Sequence, residues 1–169
     1  MDALAGERVT LRALRMDFFD AYQKVFSHTV QQLLHVSSIS GELEYLQNQI
    51  SQHKAGNSFF YCMFTKQGND LIGAIAIRDV QCGEGLLYNW INELYWGQGY
   101  YQEALAVFVR YYFAVTQTQH FQAYVDVENK RSYYALKKFG FADSGMRNGP
   151  FGWQYELLLR NVLWTPLRS

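Results

Sequence analysis

Charge of one sign is missing from this chain. Its 15 Lys and Arg balance 15 Asp and Glu, so no global field draws it to nucleic acid or to an anionic membrane, and any anion site must be local. Long hydrophobic runs are missing too. Polar residues break the apolar stretches well before the roughly 18–20 residues that a spanning helix needs, and residues 1–6 lack a signal-peptide layout. A cytoplasmic protein without membrane association is expected. Cysteine is scarce: Cys62 and Cys82 form no C-x-x-C pair and have no zinc-site spacing, so both read as buried thiols of a reducing compartment. The histidines His28, His35, His53 and His120 show no i,i+4 pairing or carboxylate neighbourhood; they read as surface or packing residues, and no metal is expected. The G-x-x-x-x-G-K-[ST] loop is absent, and Gly97-Gln98-Gly99 lacks the third glycine of the dinucleotide fingerprint. Neither a nucleoside triphosphatase nor a Rossmann dehydrogenase is favoured.

What the chain has in abundance is aromatic surface: 12 Phe, 13 Tyr and 4 Trp, 17% of its residues. Most of these belong in a core, and the surplus allows an aromatic-lined cleft. With 49% hydrophobic and 18% charged residues over 169 positions, one domain spanning 1–169 is expected to fold by itself. Residues 8–14 alternate as a half-buried strand. Asp17 is placed to cap a helix carrying Phe18, Phe19, Tyr22, Val25 and Phe26, and a second helix covers residues 42–54, with residues 37–41 a loop between them. Two apolar runs, 58–65 and 71–80, flank a turn sequence and predict an antiparallel hairpin. A strand over 86–91, a long helix over 99–116, a strand over 121–127, a short helix over 130–139 ended by Gly140, and a last strand over 152–163 complete the order. Such an order predicts an α/β (α+β) domain with a central, mostly antiparallel mixed sheet of roughly six to seven strands and about four flanking helices.

Chemistry concentrates at residues 86–104, LLYNWINELYWGQGYYQEA, where a strand runs through a glycine-containing turn into the long helix. Gly97 and Gly99 permit positive φ, so successive N–H groups can converge on an anion at the helix N-terminus, and a pyrophosphate fits that geometry. The competing reading is that the glycines only shape a tight turn. A second cluster follows at Asn129-Lys130-Arg131-Ser132; Asn129 caps the next helix and Ser132 lies in its first turn, positions that by themselves need do no more than satisfy helix N–H groups.

Together, Y-W-G-Q-G-Y-x-x-E-A-L, a strand, and N-x-x-S-x-x-x-L-x-K-x-G-F resemble the GNAT superfamily of acetyl-CoA-dependent N-acetyltransferases. The opening R-V-T-L-R-A-L resembles the branch of ribosomal-protein-alanine N-acetyltransferases, and the likeness runs from Arg8 to about Leu163. The resemblance implies a splayed pair, strands 86–91 and 121–127, that opens a V-shaped cleft for the pantetheine arm of CoA. Backbone at Ile91, Asn92 and Glu93 would pair with pantetheine amides, and N–H groups of Gly97, Gln98, Gly99, Tyr100 and Tyr101 would hold the pyrophosphate. By the same resemblance Asn129 would contact the CoA arm, and Ser132 would lie near its sulfur and protonate the leaving thiolate. Transfer would be direct, from thioester to a primary amine, either a protein N-terminus or a small molecule. A homodimer, common among relatives, is also allowed.

This chain departs from the family pattern at three positions. Leu94 replaces the usual Arg or Gln three residues before the first glycine, and apolar Leu86 and Leu136 stand where many relatives carry a Glu and others a Tyr acid. For the base, Glu93 acting through water is the first candidate and Glu84 the second, although both also fit as solvated turn residues. Tyr88 and Asn89 point to opposite faces of their strand, so one faces the acceptor. Trp153, Tyr155, Phe151, Phe18 and Phe19 are candidates to line the acceptor site. Glu103 reads as structural. Arg131, Lys137 and Lys138 form a small positive patch that either attracts CoA phosphates or solvates a helix. The missing acid and base positions motivate the alternative of a non-catalytic acyl-CoA-binding or regulatory module, and Leu94 that of an interaction domain without the cofactor.

Overall fold

The computed structural model describes residues 1–80 and 85–162. Within them one sheet of eight strands runs in the order β1-β2-β3-β4-β5-β6-β8-β7. The strands are β1 (Ala3–Ala5), β2 (Val9–Ala13), β3 (Phe59–Thr65), β4 (Leu71–Arg78), β5 (Leu86–Ile91), β6 (His120–Asp126), β7 (Ala142–Gly149) and β8 (Gly152–Arg160). The helices are α1 (Phe19–Val25), α2 (His28–Leu33), α3 (Ile39–Lys54), α4 (Tyr100–Thr116) and α5 (Lys130–Phe139). All strand pairs are antiparallel except β5 and β6, which lie parallel across the α4 crossover.

The two sheet faces bury different residues because successive side chains along a strand alternate. One face packs Val9, Leu11, Ile75, Leu87, Phe121 and Leu157 against Leu105, Phe108 and Tyr112 of α4 and Leu136 of α5. The other packs Phe60, Cys62, Ala74 and Trp90 against Tyr22, Phe26, Val30 and Leu46 of α1 to α3. Each fully buried side chain of this size contributes about 1.5–3 kcal/mol, so the long α4 is held by packing rather than by propensity. Glu103 fixes the register of α4 on the sheet: its Oε1 accepts the N–H groups of Arg8 at 2.6 Å and Val9 at 3.2 Å.

The order of elements expected from sequence is present, with several corrections. The sheet has eight strands rather than six or seven, because the three-residue β1 pairs with β2 and the tail forms a full hairpin of β7 and β8. Five helices replace about four, since α2 follows α1 after a one-residue cap at Ser27. Asp17 caps nothing; it sits in the short 3-10 turn Met16–Phe18 and its carboxylate accepts from the Arg15 guanidinium at 2.9 Å. Of the expected loop over 37–41, residues 37 and 38 are loop and Ile39 to Gly41 already belong to the first turn of α3, with the Ser38 hydroxyl accepting the Gly41 N–H. Cys62 is buried in the second core and burial pushes its thiol up, whereas Cys82, Glu84 and the end of the last expected strand lie outside the described residues.

Candidate active site

β5 and β6 share one register pair, Leu86 with Gln122, and part beyond it. The N–H of Asn92 donates to the Ile72 carbonyl at 2.8 Å, and pairing in an antiparallel ladder alternates, so Trp90 and Tyr88 also turn their backbone to β4. The backbone of Asn89 and Ile91 therefore faces the gap. The Ile91 carbonyl is taken by the Trp96 indole at 2.9 Å, which leaves both groups of Asn89 and the Ile91 N–H turned toward the opening. Asn92 is committed elsewhere, its amide donating to the Val25 carbonyl at 2.8 Å and its Oδ1 accepting the Leu94 N–H at 3.0 Å.

The glycine turn is held in an unusual shape. Gly97 and Gly99 have φ of +72° and +85°, the left-handed region that a side chain disfavours, and Gly99 leads into α4 without a side-chain cap. The first N–H groups of α4 are consequently open to a ligand. The Leu94 side chain, 78% exposed, does not brace this turn, although the Leu94 carbonyl accepts the Gln98 side-chain amide at 2.7 Å. Arg8, just before β2, supplies the brace: its Nη2 donates to the Gln98 carbonyl at 2.8 Å and its guanidinium lies 4.5 Å from the centre of the Tyr100 ring. Arg131 stacks on Trp96 at 3.5 Å beside the same turn. Lys137, on the surface of α5, is engaged with Asp143 at 2.6 Å.

Two cavities meet where the strands part. The smaller, about 50 Å³, is lined by Val30, Trp90, Ile91, Tyr101, Arg131 and Ala135 among others. The larger, about 400 Å³, is lined by Arg78, Tyr88, Tyr124, Asp126, Arg147 and Gln154 among others. Leu33, Leu34, Asn89, Asn129 and Ser132 line both. At this junction Asn129 caps α5, its Oδ1 accepting the Ser132 N–H at 3.2 Å. Its amide NH₂, the side-chain amide of Asn89 and the Ser132 hydroxyl bond to no described residue. The Tyr101 hydroxyl is also buried without a partner, and burial pushes it up.

Other expected site residues lie apart from these cavities. Glu93 occupies the 3-10 turn Glu93–Tyr95, and its carboxylate accepts the Ser27 hydroxyl at 2.6 Å, tying the start of α2 to the end of β5. Tyr155 stacks on Tyr133 with ring centres 4.3 Å apart and accepts from Lys130 at 2.6 Å, while Trp153 is 56% exposed. Phe18 packs on Phe64. Tyr88 borders the larger cavity, but its hydroxyl turns into a buried network: Tyr22 and Tyr88 both donate to Glu42 Oε1, at 2.7 and 3.0 Å, and the Trp90 indole donates to Tyr22 at 3.0 Å. Burial is the main cause that pushes the Glu42 carboxyl and both phenols up.

One pairing escapes the sequence. His35, read as a surface or packing residue with no carboxylate neighbour, stands 2.6 Å from Asp126, and the other oxygen of Asp126 accepts from Gln154 at 2.9 Å. Its ring stacks on Phe151 at 4.2 Å and its side chain is 34% exposed at the rim of the larger cavity. The two partners are 91 positions apart in the chain, so only the fold reveals them. Among the described residues no cluster of three metal-ligating side chains occurs.

A parallel pair that parts over a helix N-terminus, reached by a glycine turn, defines a class of cofactor-binding transferase folds, and comparison with known proteins supplies the family. Residues 8–142 match the family model described as Acetyltransferase (GNAT) domain, so the chain belongs to the GNAT acetyltransferases. Among solved structures it is similar to a ribosomal-protein alanine acetyltransferase from Vibrio fischeri, 17% identical with a TM-score of 0.80 over 97% of this chain and 99% of that one. It is similar also to RimL, a ribosomal alpha-N-protein acetyltransferase solved with coenzyme A (17% identity, TM-score 0.81, 94% and 97% covered). A third similar structure is the microcin self-immunity acetyltransferase MccE with acetyl-CoA and AMP (13% identity, TM-score 0.78, 92% and 93% covered). No curated protein sequence matches significantly.

Proposed function

We propose that this chain is an acetyl-CoA-dependent N-acetyltransferase acting on a primary amine. The observation that carries this reading is the set of unpartnered polar groups, on Asn89, Asn129 and Ser132, at the junction of the two cavities. These groups are half-buried and open to water in the cavities, so a ligand that enters can take the place of that water and bond to them. A pantetheine arm, with its alternating amides, suits the backbone of Asn89 and Ile91, and a pyrophosphate suits residues 97–101 at the start of α4. Tyr101 and Arg131 line the small cavity, and the Tyr101 hydroxyl is buried without a hydrogen-bond partner.

When bound, acetyl-CoA supplies an activated thioester. The amine must reach it uncharged, whereas an alkylammonium loses its proton only near pH 10, so a base is required. His35 is better placed than Glu93 to take that proton, because it borders the larger cavity and its ring is oriented by the contact with Asp126, whereas the Glu93 carboxylate is engaged by Ser27. The amine nitrogen then bonds to the carbonyl carbon as the carbon–sulfur bond breaks, and the nitrogen passes its second proton to water to leave the neutral amide. Ser132 gives its hydroxyl proton to the departing sulfur and regains one from solvent, and the N–H of Asn89 is the donor available to the carbonyl oxygen. No covalent enzyme intermediate enters this sequence.

A thermal melt with and without acetyl-CoA tests the binding half. Ligand at about 100 times its dissociation constant adds roughly 2.7 kcal/mol, a rise on the order of 5 °C. Thiol release on adding amines tests the chemistry. A rise in Tm without thiol release from any amine would instead support the non-catalytic acyl-CoA-binding module, and no rise at saturating ligand would overturn both readings.

A further inference from the structure

The larger cavity carries two arginines that the transfer chemistry leaves unused. Arg78 ends β4, and its guanidinium lies 5.3 Å from the Tyr88 ring centre and 5.9 Å from that of Tyr45, whose hydroxyl accepts one of its N–H groups at 3.2 Å. Its Nε is buried without a hydrogen-bond partner. Arg147 of β7 lies over the Tyr124 ring at 4.2 Å on the facing wall. Among the described residues neither guanidinium has a carboxylate within 4.0 Å. Asp126, the carboxylate on this wall, is already engaged by His35 and Gln154. Glu42, behind Tyr88, accepts from two phenols and feels the Arg78 charge, although burial outweighs both and pushes its carboxyl up. The wall therefore carries two fork-shaped cationic donors around an open cavity, with no carboxylate of the described residues in direct contact with either.

Arg78 stands away from the turn at residues 97–101 where the phosphates of CoA would lie. Arg78 is in register with Leu86, at the opposite end of β5 from Ile91, and at about 3.3 Å per residue the strand separates the two ends by roughly 17 Å. A planar guanidinium matches a carboxylate or phosphate through paired hydrogen bonds, and in a partly enclosed site such bonds are strong. We propose that the acceptor carries an anionic group, a carboxylate or a phosphate, in addition to its amine, and that Arg78 and Arg147 bind it. This inference rests on the acetyltransferase reading above.

The same chemistry could come from an acidic side chain following a protein N-terminus or from a small amino acid-like molecule, and matched pairs separate the two. The probes are the peptide Ala-Glu-Ala-Ala against Ala-Gln-Ala-Ala, and 4-aminobutyrate against 4-aminobutanamide, each assayed with acetyl-CoA for thiol release. Within whichever pair the enzyme acetylates, the anionic member is expected to show a kcat/KM higher on the order of tenfold or more, carried by KM. Arg147→Gln, at a partly exposed position, should erase most of that preference by lowering kcat/KM for the anionic member far more than for the neutral one, and Arg78→Lys should weaken it with the packing on Tyr88 retained. Equal rates within both pairs, or a preference that survives both variants, would overturn the proposal. If no amine is acetylated although acetyl-CoA raises the Tm, the acetyltransferase reading fails. The subsite is then read by calorimetric titration with inorganic phosphate and with the glutamate peptide, where binding lost in Arg147→Gln supports it and absence of binding to the parent protein refutes it.

Discussion

Ser132 occupies the first turn of α5 with its N–H spent on the Asn129 cap and its hydroxyl free at the junction of the two cavities. A hydroxyl that only filled space there could be removed with little effect on turnover. As the donor to a leaving thiolate it should behave otherwise: Ser132→Ala is expected to lower kcat about a hundredfold while the KM for acetyl-CoA changes by about twofold or less, a split that steady-state kinetics reads directly. An unchanged kcat would remove the acid role. The two candidate bases separate in the same way. His35→Gln should abolish the acid limb of the kcat/KM pH profile, whereas Glu93→Gln, at a residue bonded to Ser27, should leave the profile in place and lower stability by about 1 kcal/mol through the loosened start of α2. Loss of the acid limb in Glu93→Gln, with His35→Gln unaffected, would make Glu93 the base. Asn129 and Ser132 were legible in the chain because they belong to a local pattern, a helix cap, and Asn89 because it lies on a strand that alternates, whereas Leu33 and Leu34 of the same junction carry no such signal. His35 was not legible either, because its partner is a long-range one and no spacing encodes it.

At the scale of elements, the turn before α4 and the contact of α3 with β3 each carry a consequence that can be measured. Gly97 has open space around the position of an added Cβ but a left-handed φ. Gly97→Val is therefore expected to cost about 1–2 kcal/mol in urea unfolding through backbone strain, and to weaken acetyl-CoA binding by far more than that because the turn can no longer present its N–H groups. Unchanged calorimetric affinity would show that the turn is not the phosphate site. Near the end of α3, His53 Nδ1 accepts the Phe60 N–H at 3.2 Å, and burial first, then the nearby N-terminus, holds its pKa below the usual value. The unfolded chain thus takes up that proton first as pH falls below about 6.5, so stability should drop through the window between that value and the lower folded one. His53→Gln should flatten this part of the profile in urea melts at pH 7 and pH 5.5; a profile identical to that of the parent would assign the acid sensitivity elsewhere. Elements with strong periodicity, such as α4 and the β3–β4 hairpin, were readable from sequence. The short α2 and β1 were not, because six or three residues carry too little pattern and their existence depends on the sheet they pack against.

Over the whole molecule the sheet is two sheets joined at a seam. β1 to β5 form one antiparallel block and β6, β8 and β7 another; one core under α4 and α5 spans both, but on the other face the blocks meet only through one strand register pair and the contacts of His35 with Asp126 and Phe151 among those described above. A seam so thin gives the chain a binding cleft without a separate domain, and it leaves backbone at Asn89 and Ile91 with no β6 residue in register. Local opening should follow that division, since segments with few cross-strand bonds exchange their amide hydrogens through low-energy openings while core strands require global unfolding. A ligand that bridges both blocks stabilises the closed seam by mass action and should slow exchange there selectively. Hydrogen exchange with saturating acetyl-CoA is accordingly expected to protect residues 89–91, 97–101 and the first turn of α5, with no change in β2, β3 and β4 beyond the global increase in stability. Protection confined to the α1–α3 side, or spread evenly over the sheet, would place the ligand away from the seam and require a different site for the transfer.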